Sequence, residues 1–250
     1  MSYSTVDTTA GGQSVRILVP PNYTQYAVIY HHGVGETYAS LTTDTRKTGV
    51  INRLTDDGYI VASSSAAGDN WGNQAGIDAY EALRSYLVTN YAPSKFVLFS
   101  QSMGGCTGLL MASNGFTGLA GWFGIYPVCS LSSMFANNAG TYAGQIRTAF
   151  GIAANGSDYS TKTAGFDPAL KSGSLYARLP MRFWASYSDT VVGRTANSDA
   201  MATVVASSKA ESTVVACTGD HGDASHFVPQ EVSDFVGRCV VSRSLAQRMA

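Results

Sequence analysis

The chain has 250 residues, 45% of them hydrophobic and 13% charged, with a formal net charge of -1. That is enough apolar material for one sizeable core, and α/β folds of this length commonly form a single domain. No basic stripe and no apolar run near the ~20 residues that cross a bilayer are present, so nucleic acid and membranes are not expected partners.

The first residues, MSYSTVD, show no basic stretch followed by an apolar one. A soluble chain without a secretory signal, or a mature chain, is therefore expected. Residues 14–20 alternate polar and apolar and predict a half-exposed edge strand, stopped at Pro20 and Pro21. Residues 26–30 are continuously apolar, as in a buried parallel strand, and end in His31, His32, Gly33, Val34 and Gly35. Residues 44–57 carry Val50, Ile51 and Leu54 at helical spacing, up to Gly58. Residues 59–62 predict another buried strand, followed by a polar loop to Gly72. Ile77, Tyr80, Leu83, Leu87 and Val88 share one face of a helix over 77–91.

Residues 96–99 form the next apolar strand, which runs into Ser100, Gln101, Ser102, Met103, Gly104 and Gly105 before a helix over 106–112. Residues 119–126 predict a strand. Residues 129–178 are rich in Ala, Asn, Gly, Ser and Thr with scattered aromatic residues, and read as a lid-like or cap insertion over the strand ends. A strand over 181–187, a helix over 195–208, a last strand over 212–217 and a closing helix over 229–249 complete the chain. The four cysteines, 106, 129, 217 and 239, form no CxxC, and Cys106 and Cys217 lie in expected core elements. Buried structural roles are expected for them rather than a disulfide framework or a zinc site.

Strands alternating with helices predict a mostly parallel central sheet covered on both faces, with reactive groups gathered at the carboxyl ends of its strands. Ser102 stands at an abrupt small-residue turn between strand and helix, the geometry of a nucleophile elbow. Asp189 follows the strand at 181–187 within two residues, and His221 and His226 follow the strand ending at Cys217. A serine hydroxyl attacks only when an imidazole takes its proton, and the imidazole needs a carboxylate to fix its tautomer. The four histidines form two clusters, each directly after a strand, which suits this chemistry better than packing does. His221, four residues past its strand, is favoured as base. His226, close to the helix that begins at Pro229, is the alternative, with packing as its bland role. Asp220 and Asp223 are rival carboxylates, poorly placed to orient a neighbour in sequence. The Met103 N–H, at the helix start, and the Val34 N–H, in the loop after residues 26–30, are the expected oxyanion donors, with Gly35 second to Val34. His31 and His32 are expected to brace that loop. Trp71 is read as either the floor of a substrate pocket or loop packing, Asn73 as a contact or a helix cap, and Tyr126 as a cleft residue.

On these residues the chain resembles the α/β hydrolases, on their esterase, feruloyl-esterase and polyester-hydrolase side. Ser100-Gln101-Ser102-Met103-Gly104-Gly105 stands as elbow, His32-Gly33-Val34-Gly35 as oxyanion loop, and Asp189 and His221 complete a triad. The resemblance covers residues 14–242 and departs from the elbow pattern at Ser100, where the motif has glycine. It implies a single α/β-hydrolase domain over residues 1–250 and a serine carboxylester hydrolase acting through an acyl-enzyme. The substrate would be a small-molecule or polymer-linked ester, with no cofactor and a monomer by default. A peptidase or acyltransferase uses the same chemistry. A metal-dependent hydrolase built on the histidines, and a non-catalytic carbohydrate-binding module of the same fold, are the other classes.

Overall fold

The computed structural model describes residues 3–137, 141–206 and 211–248. The expected helix ends at 207–208 and 249, and part of the 129–178 insertion, lie outside the described residues. One sheet holds β1 (Ser4–Ala10), β2 (Gln13–Val19), β3 (Tyr26–His31), β4 (Ile60–Ser64), β5 (Lys95–Gln101), β6 (Leu119–Ile125), β7 (Met181–Ser186) and β8 (Ser212–Cys217). Its order is β1-β2-β4-β3-β5-β6-β7-β8. The β1–β2 and β2–β4 pairs are antiparallel, and every later pair is parallel. The sheet is thus the mostly parallel one that alternating strands and helices imply.

Side chains alternate across it, so each central strand feeds two cores. On one face Ala27, Ile29, Phe96 and Leu98 meet helix α3 (Gln74–Tyr91) through Tyr80 and Leu83, and α4 (Gly104–Ser113) through Leu109. On the other, Val28, Tyr30, Val97 and Phe99 meet α2 (Thr48–Asp56) through Val50 and Leu54, and α9 (Pro229–Arg248) through Val232 and Val236. The rings of Phe99 and Phe123 stack there with centroids 4.5 Å apart.

Two strand expectations are corrected. Residues 14–20 are not an edge: β2 lies between β1 and β4, and its Val15, Ile17 and Leu18 are wholly buried. The missing partner is β1, whose sequence STVDTTA has one strongly apolar residue. Its register is held by Asp7 opposite Arg16, where Nε and Nη2 donate to the two carboxylate oxygens at 2.8 and 2.6 Å. Conversely, β8 is the far edge of the sheet and only half-covered, so Cys217 is half-buried rather than in the core.

Helix α4 lies unusually close to the strands it crosses. A Cβ at Gly104 would stand 2.3 Å from the His31 carbonyl oxygen, and one at Gly108 would stand 2.2 Å from Ser100 Oγ. Glycine is required at both positions because no real contact is that short. Between β6 and β7 the chain forms α5 (Leu131–Asn137), α6 (Tyr142–Phe150) and α7 (Tyr159–Lys162), while α1 (Ser40–Thr43) precedes α2 and α8 (Ala200–Ala206) joins β7 to β8. A third apolar cluster joins these helices to the sheet edge through Trp71, Met103, Leu131, Met134 and Ile146. Buried Asp167 accepts the N–H groups of Leu131 and Ser132 at 3.0 and 2.9 Å, satisfying the free donors that open α5. Among the described residues no helix is long and apolar enough to cross a membrane.

Candidate active site

The register of the parallel strands brings the turns after β5, β7 and β8 to one edge. Ser102, between β5 and α4, has a left-handed backbone, φ 49°. Its N–H donates to Ile125 at 3.2 Å, and its carbonyl accepts from Gly105 and Val128 at 2.9 and 2.8 Å. Those three bonds hold a conformation that a side-chain-bearing residue rarely adopts. Its Oγ lies 3.1 Å from His221 Nε2, and His221 Nδ1 lies 2.8 Å from Asp189 Oδ2. A carboxylate only accepts, so Nδ1 carries the proton and Nε2 is left to accept from the serine hydroxyl. The second Asp189 oxygen accepts the N–H groups of Val191 and Val192 at 2.9 and 2.8 Å, which fixes the carboxylate plane. The Asp189 side chain is 1% exposed and that of His221 18%. The inner end of this relay is dry while its outer end reaches solvent.

The rival carboxylates have other work. Asp220 accepts the Thr190 N–H at 2.8 Å and the His221 N–H at 2.7 Å, tying the loop after β7 to the loop after β8. These two backbone donors hold its carboxyl below the usual carboxylate range. Asp223 caps the short turn Ala224–His226 by accepting the Ser225 N–H at 2.9 Å. His226 is buried, with Nδ1 3.0 Å from the Asp223 carbonyl and its ring against Tyr126 at 5.2 Å. The Tyr126 ring also meets His221, at 4.3 Å, and it is His221 Nε2 that lies 3.1 Å from Ser102 Oγ. The imidazole facing Ser102 is therefore His221.

The loop after β3 runs beside the serine, a Cβ at Gly33 falling 3.5 Å from Ser102 Cβ. Among the described residues neither the Val34 N–H nor the Met103 N–H has an acceptor, whereas the exposed Gly35 N–H donates to Asp69 at 2.7 Å. The Gly35 N–H is thus already engaged, and Gly35, which the sequence also offers as a possible substrate contact, is not among the residues lining the cavity described below. His32 braces the loop, its Nδ1 2.8 Å from the Gly33 oxygen and its Nε2 3.2 Å from the Ser65 oxygen. His31 points elsewhere, with Nδ1 3.3 Å from Ser100 Oγ and its ring 4.3 Å from Tyr80. Ser100 Oγ also accepts from Trp122 Nε1 at 3.1 Å, so the serine in place of the elbow glycine is a buried hydrogen-bonding hub. Among the described residues, no three His, Cys, Asp or Glu side chains form a metal-binding group.

Burial lowers the His31 pKa from 6.5 to about 3. Below pH 6.5 the unfolded chain takes up a proton that the folded chain refuses, so stability rises with pH between about 3 and 6.5. Going from pH 7 to pH 5 is expected to cost about 2 kcal/mol at this group alone. Urea unfolding at the two pH values measures the loss, and His31→Phe is expected to reduce it. An identical loss in that variant would assign the acid sensitivity to other groups.

A cavity of about 160 Å³ opens on Ser102 and His221, walled by Val34, Tyr126 and Tyr142, with Glu36, Arg46 and Gln101 beside them. A larger hollow of about 580 Å³ between α2 and α9, lined by Asp57, Tyr59 and Ser233, holds none of these groups. Tyr126 lines this cavity. Trp71 lies outside it, 1% exposed and with its ring 5.6 Å from that of Tyr142, which is the loop-packing place of its two readings. Asn73 accepts the Gly76 N–H at 2.9 Å as the cap of α3, and Phe135 stacks on Tyr159 at 4.2 Å within the insertion.

Glu36 escapes a reading by motif. Its Oε2 accepts the Tyr30 hydroxyl at 2.5 Å and the Gly33 N–H at 3.3 Å. Its Oε1 accepts Gln101 Nε2 at 3.2 Å and Lys47 Nζ at 3.1 Å. Lys47, wholly buried, also donates to Asp44 at 2.8 Å. One carboxylate thus ties the loop after β3 to the residue preceding Ser102. The only signal in the sequence is its place directly after Gly33-Val34-Gly35.

None of the protein-family models and none of the curated proteins compared with the chain matches it. Solved structures do. The fluorophosphonate-binding serine hydrolase FphF of Staphylococcus aureus superposes with a TM-score of 0.70 at 14% identity, over 96% of this chain and 98% of that one. An S-formylglutathione hydrolase from Agrobacterium tumefaciens gives 0.68 at 14% identity, over 95% and 93%. The Pyrococcus furiosus esterase Pf2001 gives 0.67 at 16% identity, over 96% and 90%. At such identities the likeness is one of architecture, and the architecture is the α/β-hydrolase fold.

Proposed function

We propose that the chain is a serine hydrolase that cleaves carboxylic esters. The observation that carries this reading is the unbroken relay from Ser102 Oγ through His221 to Asp189, with steps of 3.1 and 2.8 Å. His221 Nε2 takes the Ser102 proton as Oγ attacks the ester carbonyl, and Asp189 stabilises the imidazolium that forms. The same imidazolium then protonates the departing alcohol, leaving an acyl group on Ser102. Water enters and attacks the acyl carbonyl as His221 takes its proton, and the acid leaves as the imidazolium returns that proton to Ser102 Oγ. The Met103 and Val34 N–H groups bind the oxyanion, and one such donor is worth about 3 kcal/mol of barrier. In this reading residues 129–178 cap a single hydrolase domain and bring Tyr142 to the pocket wall. The esterase and hydrolase activities named for the similar structures support ester chemistry over a non-catalytic role.

A fluorophosphonate probe tests the proposal directly. One covalent adduct is expected on the peptide containing Ser102, formed equally well with and without EDTA. No adduct, or one at another residue, would overturn the assignment. Activity that EDTA abolishes would point instead to a metal-dependent hydrolase.

A further inference from the structure

Arg46 projects beside the cavity in a manner the hydrolytic steps do not use. Its Nε donates to Asp44 Oδ1 at 2.9 Å and its Nη2 to Asp44 Oδ2 at 2.6 Å, a fork that fixes the guanidinium plane. Among the described residues its Nη1 donates to nothing. Gly222 explains how Nη1 comes so close to the histidine loop: a Cβ there would stand 2.6 Å from it. Tyr126, on the same cavity wall, has a buried hydroxyl that is also without a partner among the described residues. Burial raises its pKa and keeps it a neutral donor. The nearby acceptors are already taken: Glu36 by Tyr30, Gly33, Gln101 and Lys47, and Asp44 by Arg46 and Lys47. The wall therefore offers donors and needs an acceptor.

Charge decides what kind of acceptor. Arg46 and Lys47 are matched by Asp44 and Glu36, while Asp189 and Asp220 add negative charge close by. An anionic group meets no net positive field there. Position decides which part of the substrate is read. The departing oxygen must reach His221 Nε2 to be protonated, and Nη1 lies against the residue that follows His221. The cavity, about 160 Å³, admits a group of only a few heavy atoms.

We infer that Arg46 Nη1 is a specificity determinant that recognises an uncharged oxygen acceptor, an ether, hydroxyl or carbonyl, on the alcohol portion of the ester. The inference rests on the serine-esterase reading above. Its test compares 2-methoxyethyl acetate with butyl acetate, which differ by one ether oxygen in place of a methylene. The ratio of their kcat/KM values is measured in the wild type, Arg46→Met, Arg46→Lys and Tyr126→Phe. Intrinsic leaving-group differences cancel when ratios are compared between proteins. The ether preference is expected to fall roughly tenfold in Arg46→Met, the scale of a hydrogen bond from a charged donor. Arg46→Lys, which keeps the charge and can still pair with Asp44, is expected to fall similarly because it withdraws Nη1. Tyr126→Phe is expected to fall less. A ratio unchanged in both Arg46 variants, or equal slowing of both esters, would overturn the inference. A wild type that hydrolyses neither ester, or a Ser102→Ala variant that hydrolyses both as fast, would overturn the esterase reading as well. Ser102-dependent hydrolysis with an unchanged ratio removes the Arg46 assignment alone.

Discussion

Ser102→Ala is expected to lower kcat on a short p-nitrophenyl ester by roughly four to six orders of magnitude, with the fold intact. The change removes one oxygen and leaves every backbone bond at that position in place. Those bonds, to Ile125, Gly105 and Val128, hold the turn and do not involve the side chain. Alanine meets the same left-handed backbone as serine, so little change in stability is expected. Circular dichroism and a urea midpoint check the fold beside the kinetic assay. Wild-type activity in this variant would sink the mechanism, because no other hydroxyl is within hydrogen-bonding distance of His221 Nε2 among the described residues.

The second large effect separates two neighbouring histidines. His221→Ala is expected to cost kcat at least about a thousandfold, since the serine then keeps its proton and the leaving alcohol has no acid. His226→Ala is expected to hold kcat within about tenfold and to lose stability instead. Its ring is buried between the Tyr126 ring and the Asp223 carbonyl, and deleting it leaves a cavity worth about 1–3 kcal/mol. Kinetics and urea unfolding of both variants give the comparison. The reverse pattern, with activity lost only in His226→Ala, would move the base.

The central strands were legible because they are buried on both faces. Residues 27–30, 96–99 and 120–125 are apolar runs that no helix or exposed strand would need. The groups that now stand within hydrogen-bonding distance of one another, Ser102, His221 and Asp189, were legible as a chain order of turns after strands. Edges were harder. STVDTTA gains its strand identity from pairing with β2, a long-range event that leaves no apolar pattern, and without that partner residues 14–20 read as an edge. Sequence leaves Trp71 open between pocket floor and loop packing, and only the fold shows it buried against Tyr142 with a positive φ of 50°. The Glu36, Asp44, Arg46 and Lys47 cluster was the least legible part. A fully buried lysine runs against composition, and its charge is tolerable only because folding brings two carboxylates to it.

The placement of the reactive groups across the sheet has a further consequence. Ser102 rises from β5, flanked by paired strands on both sides, while His221 hangs from β8, the half-covered last strand. Edge elements open at lower free energy than the centre of a sheet. On the serine-hydrolase reading, loss of activity and loss of the fold are therefore expected to separate on heating. Ester hydrolysis is expected to fall before the circular dichroism of the two cores around β3, β5 and β6 changes, and to return on cooling.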